Sequence, residues 1–493
     1  VLPVHGGAQG PAAVRDRTAA VLRAVRELLA GPPETRLAIV TRGAVAAVDG
    51  DTVPDVAAAA AWGLARSAQS EHPDRVLLVD LDGTTGSLAA ALASDEPQLA
   101  VRAGRLHAPR LVRRAPAATA VAGLDPEAAV LVTGASGALG TLVARRLVTD
   151  HGARNLVLAN RSGGGAELAA ELTALGARVR VAACDVADRA QVAALVESAG
   201  PLTAVVHLAG ALDDATIASL TPDRLDTALA PKADGAWHLH ELTAGHDLAA
   251  FVLFSSAAGV LGTPGQGGYA AANAFLDGLA AHRRAAGLPG TSLAWGLWAR
   301  TSGLTAGLGA VELSRLARGG ARAMTDEEGL DLFDRALRED PVTAVAAALD
   351  LPALRSAAAA GVLAPLFRSL VRVPARAVDP AFADLPGRLA GLPADERGEL
   401  VLDLVRGTVA AVLGHRSADA VEPDQAFKDL GFDSLTGVEL RNRLNAATGL
   451  RLSATLVFDH PTPAAIAVRI TEALTPAEPD PAAAILAELD RLH

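Results

Sequence analysis

The chain has 493 residues, 51% of them hydrophobic, enough for about three packed domains at ~100–200 residues each. A net charge of −11 without a basic stripe argues against nucleic-acid binding. The single cysteine, Cys184, excludes an internal disulfide and fits a reducing cytosol; neither a signal peptide nor an apolar run of membrane-spanning length is visible. A cytoplasmic protein with no nucleic-acid or membrane partner is expected, and Val1 in place of methionine reads as a piece of something longer. Two scarcities carry more information. Tyr269 is the one tyrosine, and Lys232 and Lys428 are the two lysines; every other basic side chain is Arg or His.

Over residues 1–124 the pattern predicts a helix at Thr18–Leu29, a strand at Leu37–Thr41, an Ala-rich helix at Val56–Gln69 and a strand at Val76–Leu81. This alternation implies a small parallel sheet. It lacks a glycine-rich phosphate turn and reads as a structural half, with Arg42, Trp62 and His72 as packing or surface residues.

From Ala128 the alternation restarts with chemistry attached. A buried strand (Val130, Leu131, Val132) runs into a turn at Gly134, Ser136, Gly137, Leu139 and Gly140. An amphipathic helix follows, marked by Leu139, Val143, Leu147 and Val148. Glycine lets a backbone approach a pyrophosphate there, and the helix N-terminus offers free N–H groups. The second strand, Asn155–Ala159, ends at Asn160 and Arg161. An Arg at this tip favours the ribose 2′-phosphate of NADPH; a solvated loop arginine is the alternative. The third strand, Arg178–Ala182, leads to Asp185 and Val186, with Asp185 placed to accept from an adenine amine. The fourth, Leu202–His207, closes on Ala209 and Gly210 beside the expected cofactor, and His207 reads as ordering that turn.

The fifth strand, Phe251–Phe254, runs into Ser256. The loop Gly259–Gly268, with five glycines and Pro264, leads to Tyr269 and a helix over Ala270–Ala286; Thr291–Ala294 is a sixth strand. Residues 295–322 read as a lid, and Thr325–Leu370 completes the unit with helices and one strand. A Pro- and Ala-rich linker over 373–397 precedes a small helical unit over 398–474 and a tail over 475–493.

Reducing a ketone with NADPH needs a hydride donor against the carbonyl and an acid for the growing alkoxide. A phenol, with an unperturbed pKa of ~10, holds its proton at neutral pH, and a nearby ammonium lowers that value and speeds transfer. A serine hydroxyl bonded to the carbonyl oxygen orients it. Tyr269, Lys232 and Ser256 are the right types.

Together, Thr133–Gly140, His207–Gly210, Ser256 and Tyr269 resemble the short-chain dehydrogenase/reductase superfamily. More narrowly, Lys232–Trp237, Phe254–Gly259 and Gly265–Asn273 resemble the ketoreductase of a modular type I polyketide synthase. Ordinary superfamily members place a lysine four residues after the tyrosine; here Asn273 stands there and Lys232 lies upstream, the exchange that synthase ketoreductases show. The resemblance implies Tyr269, Ser256, Lys232 and Asn273 as an active catalytic set using NADPH. It also implies a B-type domain. Leu212, Asp213 and Asp214 match the B-type loop, Pro264 fits, and Leu261 stands where A-type domains carry tryptophan; Gln266 joins this stereocontrol group. Gly268 departs from the usual asparagine, and Ala271 is not the proline of epimerising domains. The implied product is a D-β-hydroxyacyl thioester without α-epimerisation. Solvated loop acids remain the alternative for Asp213 and Asp214.

Gly431–Leu435 resembles the attachment site of acyl carrier proteins, with 4′-phosphopantetheine on Ser434; Val438–Leu444 and Phe458–Thr462 strengthen the match. A simple helix N-cap is the alternative at Ser434. Asp433 and Glu439 are placed to help a partner recognise that helix. The implied architecture is α/β. Two Rossmann-like subdomains (1–124 structural, 125–372 catalytic) precede a linker, a helical-bundle carrier over 398–474 and a tail. The implied function is NADPH-dependent reduction of the β-keto group of a polyketide intermediate, held as an acyl thioester on Ser434. Implied partners are a phosphopantetheinyl transferase and neighbouring ketosynthase, acyltransferase and thioesterase domains or the next module. The same region of a multifunctional fatty acid synthase, or a redox-inactive scaffold with carrier function only, stays open. No metal site is expected.

Overall fold

The computed structural model describes residues 1–474 apart from 33, 84–86, 116–122, 301–319, 360–362, 372–388, 390, 414, 416, 433, 451 and 454–455. Most of the expected lid and linker and all of the tail lie outside the described residues. Val1–Ala353 form one unit, and the chain from Leu354 onward forms a second.

The first sheet holds β1 (Leu2–Pro3), β2 (Leu37–Arg42), β3 (Val76–Leu81), β4 (Gln98–Arg102) and β5 (Arg105–His107) in sequential order. β1 to β4 are parallel, as the βα alternation implies, and β5 folds back antiparallel on β4. That hairpin escapes a reading by apolar runs because its signal is a two-residue turn, Ala103-Gly104, with φ of 48° and 76°. The first helix starts at Gly10, well before Thr18, with Pro11 in its first turn, where a missing N–H costs nothing. A buried polar chain ties this half together. Trp62 donates to Thr41 at 2.9 Å, Thr41 donates to Asp80 at 2.6 Å, and Arg102 bridges Asp80 and Asp51 at 2.7 Å each.

The second sheet contains β6 (Ala129–Thr133), β7 (Asn155–Asn160), β8 (Arg178–Ala183), β9 (Leu202–His207), β10 (Ala250–Ser256), β11 (Thr291–Trp295) and, beyond the short β12 (Ala321–Arg322), β13 (Thr343–Ala346). The order is β13-β11-β10-β9-β6-β7-β8, every neighbouring pair parallel. β6 and β9 are buried along their whole length, as strands covered on both faces must be. The chain steps from β6 to β7 on one side and returns to β9 on the other, which opens a crevice at their carboxyl ends. β14 (Ala348–Leu349) pairs antiparallel with β12, and Thr325–Leu370 holds two strands, β13 and β14, where one was expected.

The halves of this unit meet through two Ala- and Gly-rich helices, Val56–Glu71 and Gly267–Ala285. A Cβ on Gly63 would lie 2.1 Å from the Ala270 carbonyl oxygen, and one on Gly278 would lie 2.7 Å from the Ala59 Cβ. The second unit contains helices Ala394–Leu413, Ser434–Thr448, Leu456–Asp459 and Pro463–Leu474 around Val401, Val405, Leu440, Leu444, Ile466 and Ile470. Its first helix begins at Ala394, four residues ahead of the expected boundary, directly after Pro393. Among the described residues no helix is long and apolar enough to cross a membrane.

Gly63→Ala is expected to destabilise the first unit by about 1–3 kcal/mol, because the new methyl meets backbone that cannot swing away. Gly245→Ala, where nothing lies within 4 Å, is the control expected to leave the thermal midpoint in place.

Candidate active site

The crevice is lined first by the turn after β6. Gly134 has φ +69°, and a Cβ there would lie 2.8 Å from the Ala209 nitrogen. A Cβ on Gly140 would lie 2.4 Å from the Gly134 carbonyl, so the helix Ala138–Thr149 sits flush against the turn. Gly137 caps that helix with no side chain over its first-turn amides, and Ser136 is exposed beside it. This leaves N–H groups for an anion. At the end of β7, Asn160 donates to the Gly164 carbonyl at 2.7 Å and accepts from the Gly164 nitrogen at 3.1 Å. It thereby shapes the turn that presents Arg161, which is exposed. Asp185 follows β8, half-buried, with Val186 buried behind it. Glycine cradle, uncapped amides and exposed guanidinium together fit a dinucleotide with an extra phosphate.

Five side chains converge beside that cradle. Ser256 ends β10, where its Oγ accepts from the Ala258 nitrogen at 3.2 Å. Tyr269, Asn273 and Asp277 recur every fourth residue along the helix Gly267–Ala285 and so share a face. Lys232 lies in a π-helical turn, Ala230–Asp234, between the helices Pro222–Leu229 and Gly235–Thr243. Such turns are rare and gather at functional sites. The Lys232 ammonium is buried, donates to the Phe254 carbonyl at 2.7 Å and lies 5.6 Å from the Tyr269 ring centroid. Gly210 makes room for it: a Cβ there would lie 2.9 Å from Lys232 Cε. The Ser256 hydroxyl interacts with the Tyr269 phenol and favours its ionised form. Asn273 Nδ2 donates to the Tyr269 carbonyl at 2.8 Å, while its buried Oδ1 has no partner among the described residues.

Burial dominates the electrostatics. It pushes the Lys232 ammonium down to about 8, with the Asp277 carboxylate opposing. It pushes Asp277 up to about 6, against hydrogen bonds from Ser292 and Ser255 and the charges of Arg66 and Lys232. The Tyr269 phenol is also pushed up by burial, with Ser256 and Asn273 pulling the other way. Loss of water around the phenolate is the leading cause of that direction, and the Asp214 charge adds to it. His207 is forced down to about 3 by burial and stays neutral. Its ring bridges Thr133 Oγ1 at 2.7 Å and the Lys232 carbonyl at 3.3 Å, consistent with ordering the turn.

The mouth is bounded by two loops. Arg224 donates to Asp213 Oδ1 at 2.7 Å and to the Asp214 carbonyl at 3.0 Å. Gln266 donates to Asp214 Oδ2 at 2.8 Å, and the Ala215 nitrogen donates to the Gly265 carbonyl at 2.8 Å. Both acids are thus engaged with protein partners. Leu212, Leu261 and Pro264 are half-buried along the same loops. Sequence reasoning missed Arg224, Asp277 and Arg15. Arg15, from the first half, grips Asp234 at 3.0 and 2.7 Å and Asp226 at 2.6 Å, and so holds the turn that carries Lys232. No local pattern marks a pair 219 residues apart. In the second unit, Ser434 opens the helix Ser434–Thr448, and Gly431, at φ +81°, turns the chain just before it. Asp433 lies outside the described residues.

Residues 128–300 match the family model described as KR domain, and residues 1–111 match the one described as polyketide synthase extender module SpnB, Rossmann fold domain. Residues 403–470 match the phosphopantetheine attachment site model. The chain is 52% identical over 497 residues to the spectinabilin polyketide synthase system protein NorA′ of Streptomyces orinoci, covering 96% of this chain but 14% of that one. Among solved structures, one titled as an A1-type ketoreductase is 42% identical, with a TM-score of 0.66 over 72% of this chain and 77% of its own. Another, titled as A-type ketoreductases from a modular polyketide synthase, is 43% identical, with the same TM-score and coverages.

Arg15→Ala leaves the Asp234 carboxylate, 5% exposed, without its bidentate partner. The expected loss is about 1–3 kcal/mol, read as a lowered denaturant midpoint.

Proposed function

The chain belongs to the ketoreductases of modular polyketide synthases, here joined to a phosphopantetheine-attachment domain, and on that premise we propose that it reduces the β-keto group of an acyl thioester held by 4′-phosphopantetheine on Ser434, using NADPH. One observation carries this reading: the lone phenol of the chain lies 5.6 Å, ring centroid to Nζ, from a buried ammonium, with Ser256 acting on its hydroxyl.

When bound, NADPH supplies hydride to the carbonyl carbon. The turn Gly134–Gly140, with Ala209, Gly210, Asp185 and Val186, would hold it, and Arg161 would receive its 2′-phosphate. Ser256 donates a hydrogen bond to the substrate carbonyl oxygen and fixes its direction. Tyr269 gives its phenolic proton to that oxygen as negative charge develops. The raised phenol pKa keeps this proton in place at neutral pH. The Lys232 ammonium then stabilises the phenolate left behind, in a site where little water screens the attraction. Asn273 pins the backbone of Tyr269.

The B-type reading rests on Leu212, Asp213, Asp214, Leu261, Pro264 and Gln266, since the A-type relatives share the fold and the hand lies in the loops. It assigns a D-β-hydroxyacyl product without α-epimerisation. The partners that follow are a phosphopantetheinyl transferase and other polyketide synthase domains; the polyketide synthases among the relatives support the latter, and a cytoplasmic setting goes with both.

Wild type is expected to consume NADPH absorbance with a β-ketoacyl pantetheine thioester, and Tyr269→Phe to lose roughly 10²–10⁴-fold in rate. A wild type as inactive as Tyr269→Phe would instead favour the scaffold reading. The reductive rate is expected to fall as pH rises through about 8, where Lys232 gives up its charge. After treatment with a phosphopantetheinyl transferase, intact mass should rise for wild type and stay unchanged for Ser434→Ala.

A further inference from the structure

The last turns of the first half's Ala-rich helix send four hydrogen bonds to the loops beside Tyr269. Arg66 donates to the Gly259 carbonyl at 2.7 Å, and Ser70 donates to the Gly262 carbonyl at 2.6 Å. The Glu71 carboxylate accepts from the Gly265 nitrogen through Oε1 at 2.9 Å and from the Ile217 nitrogen through Oε2 at 2.8 Å. The contact is tight, since a Cβ on Gly262 would lie 2.3 Å from the Arg66 carbonyl.

Glu71 thus touches two separate loops with one rigid, planar group. One loop carries Leu212, Asp213 and Asp214; the other carries Leu261 and Pro264 and leads into Gln266. Hydrogen bonds to an ionised acceptor are the stronger class, and a carboxylate bonded through both oxygens fixes the spacing of its donors. The loops also bond to each other at Ala215–Gly265 and Asp214–Gln266, so their separation is a single coordinate.

We propose that Glu71 is a positioning residue for the reduction: it sets the gap between the Leu212–Ile217 segment and the Gly262–Gly265 loop that follows the short helix Ala257–Leu261, and through that gap the face of the ketone presented to the reductant. The proposal rests on the reductase reading above. It gives the first half a part in stereochemistry that the absence of a phosphate turn conceals.

Glu71→Gln tests this, because an amide has one acceptor oxygen and its NH₂ cannot accept from the second backbone N–H. Glu71→Asp is the second variant; it keeps the charge but is too short to span both amides. The control is Asp51→Asn, which weakens the far edge of the first sheet through Arg102. Each full-length chain is given NADPH and a racemic 2-methyl-3-oxoacyl pantetheine thioester, and the alcohols are resolved by chiral chromatography. In both Glu71 variants kcat/KM for the thioester is expected to fall about tenfold and the minor alcohols to rise several-fold, with the KM for NADPH unchanged. Amide exchange at Ile217 and Gly265 is expected to quicken. Asp51→Asn should lower the thermal midpoint and leave the product ratio alone. Glu71 variants that turn over with the wild-type ratio and wild-type exchange overturn the proposal, as does an equal change of ratio in Asp51→Asn. A wild type without turnover overturns the reductase reading instead. Exchange alone then decides whether Glu71 holds the loops.

Discussion

Where a Cβ on Gly63 would lie 2.1 Å from the Ala270 carbonyl, two helices lie backbone against backbone. One is buried in the first half; the other carries Tyr269 on the very next position. Small side chains permit this approach, and once made it leaves the Tyr269 helix little freedom to slide or turn. Further hydrogen bonds from the first half reach the segments that support the site. Arg15 reaches the turn that carries Lys232, and Arg66, Ser70 and Glu71 reach the loops at the mouth. A sheet without cofactor chemistry of its own thus acts as the wall against which the catalytic side chains are set.

Burial then does what the residue types alone do not. Taken out of water, an ammonium and a carboxylate both lose preference for their charged forms, and Lys232 and Asp277 shift toward each other, to about 8 and about 6. Between these values both remain charged. Burial pushes the Tyr269 phenol up as well. A proton donor that must hold its proton until a carbonyl oxygen gains charge is well served by that direction. His207, neutral and locked between two strands' ends and the Lys232 backbone, adds orientation without adding charge.

The second unit follows a different logic. Its helices enclose a core of Val, Leu and Ile, and the residue that resembles an attachment site opens a helix, where backbone N–H groups favour a phosphodiester. Its chemistry needs one accessible position, not a constellation, which is why a five-residue motif announces it. The set proposed for the reduction draws four residues from a strand end, a helix and a π turn, and no single stretch of sequence holds them all.

Strand cores and their order of appearance were legible because parallel strands are continuous apolar runs: Val76–Leu81 and Leu202–His207 fall where the pattern puts them. The glycine turn was legible because close approach demands glycine at Gly134 and Gly140. Helix starts were less so; Gly10 and Ala394 open helices ahead of their apolar periodicity, since a first turn need not be buried. By itself, then, the sequence determined the α/β class and, through resemblance, named the side chains proposed to react. Only the tertiary structure decided their pKa directions, the π turn under Lys232 and the grip of Arg15 and Glu71 on distant segments. Those depend on which groups lose water together and which partners meet across some two hundred residues, and linear spacing carries neither.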